Sequence, residues 1–136
     1  MCSSDLSHYQ DAIRLYPDYR DAHYNLAFVR DHFGDHAAAI AGYREALRID
    51  PDYLAARQNL AAALDADGQW SASVIEMRRV LQQVPGSAVW HANTGAVLAK
   101  SGQYEEATRE YEEALRLQPG FPRAVQALNV LRGRRN

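Results

Sequence analysis

The same punctuation residues recur every 34 residues along this chain of 136 residues, and that interval limits the folds open to it. The residues that keep the interval are Pro17, Pro51, Pro85 and Pro119, Gly34, Gly68 and Gly102, and Asn25, Asn59 and Asn93. Between them, apolar residues lie three or four apart, which predicts amphipathic helices. Glycine ends one helix of each pair, and proline prevents the other from continuing. The sequence therefore predicts an array of helix–turn–helix repeats in which each repeat contacts mainly its neighbours.

The 34-residue register divides the chain into a partial repeat, three full repeats and a closing segment. The predicted boundaries are 1–6 for a non-native or disordered start, 7–19 for the second helix of a truncated repeat, 20–53, 54–87 and 88–121 for the repeats, and 122–136 for a closing helix and tail. Residues 1–6 fall outside the register and resemble a translated sequencing adapter. We therefore expect them to be non-native and the natural protein to extend further upstream.

Each repeat is expected to bury one face of both of its helices, because neither helix is apolar all round. Core positions predicted from the helical spacing include Leu26, Val29 and Phe33 in repeat one and Val125, Leu128 and Leu131 in the closing helix. Asp35 and Ser87 stand where a side chain can cap the next helix. Trp70 and Tyr104 are equivalent by period and are expected to pack between helices.

Composition excludes several classes of function. A net charge of −2 and a pI near 6.2 argue against nucleic-acid binding. No apolar run is long enough for a membrane span and no signal-peptide pattern opens the chain, so we expect no membrane insertion and a cytoplasmic location. Cys2 is the single cysteine, and no nucleophile–base pair, phosphate loop or histidine cluster is evident. We expect no metal, no cofactor and no catalytic residue.

The repeats resemble those of the tetratricopeptide family, whose period is 34 residues. The residues that carry the resemblance are Ala39 and Ala107, Tyr43 and Tyr111, Ala46 and Ala114, and the terminal prolines. The resemblance extends from Ser7 to about Arg132. It departs from the family pattern where the tryptophan typical of the first helix is replaced by His23, Arg57 and His91. The family implies an all-α, right-handed α-solenoid whose first helices line a concave groove that binds peptides.

The resemblance places ten candidate peptide-binding residues in that groove. They are Asp21, Tyr24, Asn25, Phe28, Asp31, Gln58, Asn59, Asp65, Asn93 and Lys100. A carboxamide offers an acceptor and two donors, so asparagines at one spacing can bind the backbone of an extended peptide. This series is similar to the asparagine ladder in the repeat region of O-linked N-acetylglucosamine transferases. The alternative interpretation is that each asparagine hydrogen-bonds a neighbouring helix.

Other groove side chains would choose the ligand. Tyr24 and Phe28 lie one turn apart and either anchor a ligand side chain or pack on the preceding repeat. Asp21, Asp31 and Asp65 either form an acidic lip that favours basic or neutral peptides or are solvated charges. The carboxylate clamp that holds chaperone tails is not expected, because it needs lysines and an arginine where this chain has Tyr24, Phe28, Val89 and Asn93.

The sequence therefore predicts a non-catalytic protein–protein interaction module that binds an extended peptide or a partner helix. A second hypothesis is structural: the helix at 7–16 lacks its partner, so the array docks to other repeats or self-associates through it. A third is that the chain is the C-terminal appendage of a larger bacterial enzyme, such as a glycosyltransferase. The repeat spacing encodes the scaffold, so it names no ligand.

Overall fold

A computed structural model describes residues 3–134 and folds them into eight α-helices, with no strand in that range. The helices are α1 (Ser3–Leu15), α2 (Arg20–His32), α3 (His36–Ile49), α4 (Leu54–Ala66), α5 (Trp70–Gln83), α6 (Ala88–Lys100), α7 (Tyr104–Leu117) and α8 (Pro122–Arg134). Each helix has 13 or 14 residues. The predicted all-α fold class is confirmed.

Helices α1 to α4 form the first of two compact units, which ends at Gln69. In this unit α2 packs against α1 and α3, α4 packs against α3, and α2 also contacts α4. Small side chains let the helices approach closely: a Cβ on Gly42 would lie 2.7 Å from the Cβ of Ala27. Tyr43 is the largest fully buried side chain of the unit. Packing of small residues around one aromatic ring thus replaces a thick apolar core.

Helices α5 to α8 form the second compact unit, which begins at Trp70. Here α6 packs against α5 and α7, α8 packs against α7, and α6 also contacts α8. The contact between α6 and α8 brings together two helices that each follow a proline by two or three residues. That contact positions the cavity described below.

The turns inside the repeats have one geometry. Gly34, Gly68 and Gly102 have φ of +84°, +77° and +83°, a region that residues with a Cβ rarely adopt. After Gly34, the amide of Asp35 donates to the carbonyl of Arg30 at 2.9 Å, the long-range bond that closes a helix of this type. The Asp35 carboxylate then accepts from the amide of Ala38 at 3.2 Å, which confirms the predicted cap.

The junctions between repeats are held by the residues that replace the family's tryptophan. A ring nitrogen of His23 lies 2.7 Å from the carbonyl oxygen of Pro17, and a ring nitrogen of His91 lies 3.0 Å from that of Pro85. Between them in sequence, Arg57 donates to the carbonyl of Pro51 at 2.7 Å. Each polar side chain therefore satisfies the carbonyl of the proline six residues before it.

Two core predictions are wrong. Phe33 is 67% exposed, because α2 ends at His32 and the C-cap residue leaves the helical periodicity. Val125 is 39% exposed. The buried face of α8 begins at Ala124, and the next residue is turned about 100° from it. Leu128 and Leu131 are buried as expected.

Three further expectations differ from the structure. Trp70 and Tyr104, expected to pack between helices, are both partly exposed to solvent. Residues 3–6, assigned from sequence to a non-native or disordered start, are ordered because they belong to α1. Their non-native origin stays a prediction, and residues 1 and 2 lie outside the described range.

Candidate functional site

The asparagines of the predicted series have different environments. Asn25 on α2 is half-buried and makes no side-chain hydrogen bond within the part of the chain that the structure describes. Asn59 on α4 donates from Nδ2 to the hydroxyl of Tyr24 at 2.8 Å. Asn93 on α6 accepts at Oδ1 from Arg123 on α8 at 2.5 Å. At Asn59 and Asn93 the amide therefore bonds a neighbouring helix.

Tyr24 belongs to an aromatic cluster in the first unit. Its ring centroid lies 5.1 Å from that of Tyr53, 5.8 Å from that of Tyr43 and 6.4 Å from that of Phe28. Tyr24 therefore packs within its own repeat and on the segment that follows, and not on a preceding repeat. Phe28 is 45% exposed, so it is the member of the pair that a ligand can reach.

The predicted acidic residues of the first unit are already engaged. Asp21 accepts from Arg20 Nε at 3.0 Å, and Arg20 also pairs with Asp50. The Arg20 guanidinium lies 4.1 Å from the centroid of the Tyr53 ring. The Asp50 carboxylate, with Asp21, raises the pKa of Arg20.

Asp31 bridges the two helices of its repeat. One carboxylate oxygen lies 2.8 Å from Nδ1 of His36, and the other accepts from the hydroxyl of Tyr43 at 3.4 Å. Burial, together with the Asp31 charge, raises the pKa of Tyr43. Gln58 lies half-buried on α4, and Asp65 on the same helix is half-buried with a polar partner. A bare acidic lip is therefore absent at Asp21 and Asp31.

The second unit contains a cavity of about 350 Å³ between α6 and α8, with two tyrosines of α7 beside it. We call it the α6–α8 cavity, and its lining residues are Ala96, Ala99, Lys100, Tyr104, Tyr111, Ala127, Val130, Leu131 and Arg134. Of the ten predicted site residues, only Lys100 is among them. The walls are largely alanine and aliphatic, and the charged members, Lys100 and Arg134, are both cations.

One glycine lets a tyrosine pack beneath this cavity. A Cβ on Gly95 of α6 would lie 3.0 Å from Cε2 of Tyr111 on α7, so the ring lies directly against the backbone of α6. Tyr111 is buried, and this burial raises the pKa of its hydroxyl. Its ring gives the cavity a flat aromatic surface in a fixed position.

Sequence reasoning placed no groove residues on α8, although the 34-residue register continues into it. Adding 34 to Asn93, Ala96 and Lys100 gives three lining residues, Ala127, Val130 and Arg134. The same step from Val89 gives Arg123, the donor to Asn93. The signal was therefore present in the sequence.

A second concave surface lies in the first unit, at the junction of α1 and α2. It has a volume of about 600 Å³ and is lined by the segment 15–19. Leu15 and Tyr16 are 66% and 67% exposed. The segment is therefore an exposed apolar surface at the helix for which the sequence predicts a missing partner.

Other kinds of site are not seen in the described range. Residues 3–134 contain no group of three or more histidine, cysteine, aspartate or glutamate side chains placed to hold a metal ion. Every helix in that range is too short or too polar to cross a bilayer.

Helix pairs of one period, with a cavity lined by the helices that follow each proline, define a class of helical repeat proteins. Three models of the tetratricopeptide repeat match the sequence, at residues 6–53, 32–95 and 88–121. The chain belongs to the tetratricopeptide repeat family. It is therefore a protein-interaction module, as the sequence predicted.

Solved structures share the fold. The crystal structure of MamA superposes with a TM-score of 0.89 at 19% identity, covering 96% of this chain and 76% of that one. A second MamA structure, residues 41 to the end from Desulfovibrio magneticus RS-1, gives 0.87 at 18% identity, covering 96% and 73%. YrrB, described as a TPR protein with an unusual peptide-binding site, gives 0.86 at 19% identity, covering 96% and 67%. No curated protein matches the sequence.

Proposed function

We propose that this chain binds an extended peptide, without catalysis, along the helices that follow each proline. The observation that supports the proposal is the α6–α8 cavity, which lies at positions that the repeat register assigns to the groove. Its volume of about 350 Å³ lies at the lower end of the range typical of ligand pockets. The alanines of its wall leave room for a peptide backbone to approach α6 and α8.

The asparagines would supply the backbone contacts. A carboxamide has two donor hydrogens and an acceptor oxygen. Asn59 uses one donor on Tyr24 and Asn93 uses its oxygen on Arg123, so each retains further bonding capacity. Asn25 has its full capacity within the described residues. The structural and the peptide-binding interpretations of the series are therefore compatible.

The test uses a library of random peptides selected on the wild type and on Ala99→Phe, which fills the α6–α8 cavity. We expect the wild type to enrich specific peptides and Ala99→Phe to lose them. Ala41→Phe is the matched control, because Ala41 is an exposed alanine on α3. It should retain binding, and circular dichroism should show equal helicity in all three proteins. Failure of the wild type to enrich any peptide would contradict the proposal.

The asparagine series has its own variant in the same experiment. The triple substitution Asn25→Ala, Asn59→Ala, Asn93→Ala should weaken binding of an enriched peptide while helicity is retained. Unchanged affinity would restrict the contacts to the cavity and remove the amides from the site.

A second candidate function is self-association through the segment 15–19, and the exposure of Leu15 and Tyr16 favours it. Burying such side chains against a second copy removes apolar surface from water, at roughly 25 cal/mol per Å². Sedimentation of the wild type at several concentrations should then show a rising mass, which Leu15→Asp/Tyr16→Asp abolishes. A constant monomer mass for the wild type would reject this candidate.

A further inference from the structure

The α6–α8 cavity combines an apolar wall with cations only. Its charged lining residues are Lys100 on α6 and Arg134 on α8, which are 34 residues apart and so occupy equivalent positions on their helices. No aspartate or glutamate is among the residues that line it. We propose that this cavity selects peptides in which a side-chain carboxylate stands next to an apolar side chain.

This inference rests on the proposed function and specifies its ligand. The apolar side chain would occupy the wall of Ala96, Ala99 and Val130, and the carboxylate would meet the cationic end. An arginine guanidinium presents parallel N–H groups whose spacing matches the two oxygens of a carboxylate. The two parts of the cavity therefore call for two adjacent side chains of different chemistry.

The arginines of α8 are held by neutral partners. Arg134 donates to the hydroxyl of Tyr104 at 3.0 Å and lies 5.1 Å from the centroid of that ring. Arg123 donates to the amide oxygen of Asn93. Within residues 3–134, neither guanidinium has a carboxylate in ion-pair contact. A neutral partner orients the guanidinium without neutralising it, so the positive charge remains available to a ligand.

Arginines elsewhere in the same unit differ in this respect. Arg78 on α5 pairs with Glu106 at 2.5 Å, and Arg116 on α7 pairs with Glu113. The acidic residues of α7 thus hold cations on other helix faces. The contrast indicates that positive charge beside the α6–α8 cavity is a local feature of α8 and not a property of the whole unit.

The test is a selection of random peptides displayed on phage. The peptides are joined to the coat protein through their C-termini, so a carboxylate can come only from aspartate or glutamate. We expect the wild type to enrich peptides with an acidic residue within two positions of an apolar one. Lys100→Glu/Arg134→Glu should change the preference to lysine or arginine at that place.

Affinity of one enriched peptide gives the magnitude. Each surface ion pair contributes a factor of about 1.4 to 5, so replacing the peptide's acidic residues by amides should weaken binding by roughly 2- to 25-fold for two contacts. Lys100→Gln/Arg134→Gln should weaken the acidic peptide by a similar factor, and Arg134→Gln keeps a donor for Tyr104. Raising the salt concentration should reduce the difference between acidic and amide peptides.

A matched control carries the same change of net charge away from the cavity. Arg109 and Arg132 are exposed and do not line it, so Arg109→Glu/Arg132→Glu should keep the wild-type preference. Equal loss in this control would show a nonspecific charge effect and overturn the inference.

The outcomes separate this inference from the proposed function. Neutral or basic peptides that bind the wild type and are lost in Ala99→Phe would overturn the acidic preference and leave groove binding intact. Acidic peptides that bind Lys100→Glu/Arg134→Glu as tightly as the wild type would place their recognition elsewhere and also overturn it. Absence of any enriched peptide would reject both.

Discussion

The amide of Asn59 donates a hydrogen bond of 2.8 Å to the hydroxyl of Tyr24, across 35 residues of sequence. The bond joins α4 to α2 in the first unit, and both side chains are half-buried. It fixes the position of the Tyr24 ring, which already contacts the rings of Tyr43 and Tyr53. One asparagine of the predicted series therefore has a structural role.

Removal of either partner of that bond should lower the free energy of unfolding by about 1 kcal/mol. Asn59→Ala and Tyr24→Phe should together cost less than the sum of the two single changes, because the second removes a bond already lost. Asn25→Ala is the control at the equivalent position, and it should change stability by less than about 0.5 kcal/mol. Urea unfolding of the four variants measures these values, and strict additivity would contradict the bond.

Gly42→Ala should destabilise the first unit, because the new Cβ would lie 2.7 Å from the Cβ of Ala27. Overpacking of this kind costs about 1–3 kcal/mol and outweighs the gain of up to about 1 kcal/mol in helix propensity. Adding Ala27→Gly should recover part of the loss. Gly133→Ala is the control: Gly133 is helical with open space around it, so stability should stay equal or rise. Thermal unfolding of these proteins decides the sign.

His91 bonds two acceptors at once, the carbonyl of Pro85 at 3.0 Å and the carboxylate of Glu110 at 2.7 Å. We expect His91→Leu to lower the free energy of unfolding by about 1–3 kcal/mol, because it leaves partly buried acceptors without a donor. His91→Gln keeps one donor and should lose less. His32→Leu, at an exposed histidine, is the control and should be near neutral. Equal effects of leucine and glutamine at position 91 would count against the bonds.

Stability should fall at alkaline pH through Tyr43. Burial, with the charge of Asp31, raises the pKa of Tyr43 above its ordinary value of 10.0 in the folded state. The neutral form is therefore favoured on folding, so the stability is present below about pH 10 and is lost as the pH rises toward the folded pKa. Tyr43→Phe should reduce this loss between pH 9 and 11, measured by urea unfolding. Tyr16→Phe, at an exposed tyrosine, should leave it unchanged.

The fold followed from the sequence because periodic residues determine local geometry. The spacing of Gly34 and Asp35 predicted both the turn and the cap, and the apolar spacing predicted burial of Leu26 and Val29. Phe33 fails because the period alone does not show where α2 stops. Local pattern is thus sufficient for the helices and insufficient at their ends.

The candidate site was less predictable, since its contacts join residues 30 to 35 positions apart. The register identifies which residues occupy equivalent positions, but it does not show that Asn59 bonds Tyr24 or that Arg123 bonds Asn93. Those bonds depend on which side chain the next repeat presents. Extension of the register into α8 would have predicted Val130 and Arg134 as lining residues.

The bond from each repeat junction to the proline six residues earlier has a consequence for the gene. Deletion of residues 54–87 would join Tyr53 to Ala88 and place His91 six residues after Pro51, the spacing that His91 now has from Pro85. A deletion one residue longer or shorter would separate donor from acceptor. Whole repeats can therefore be lost or duplicated with their junctions intact, whereas other changes of length break a junction.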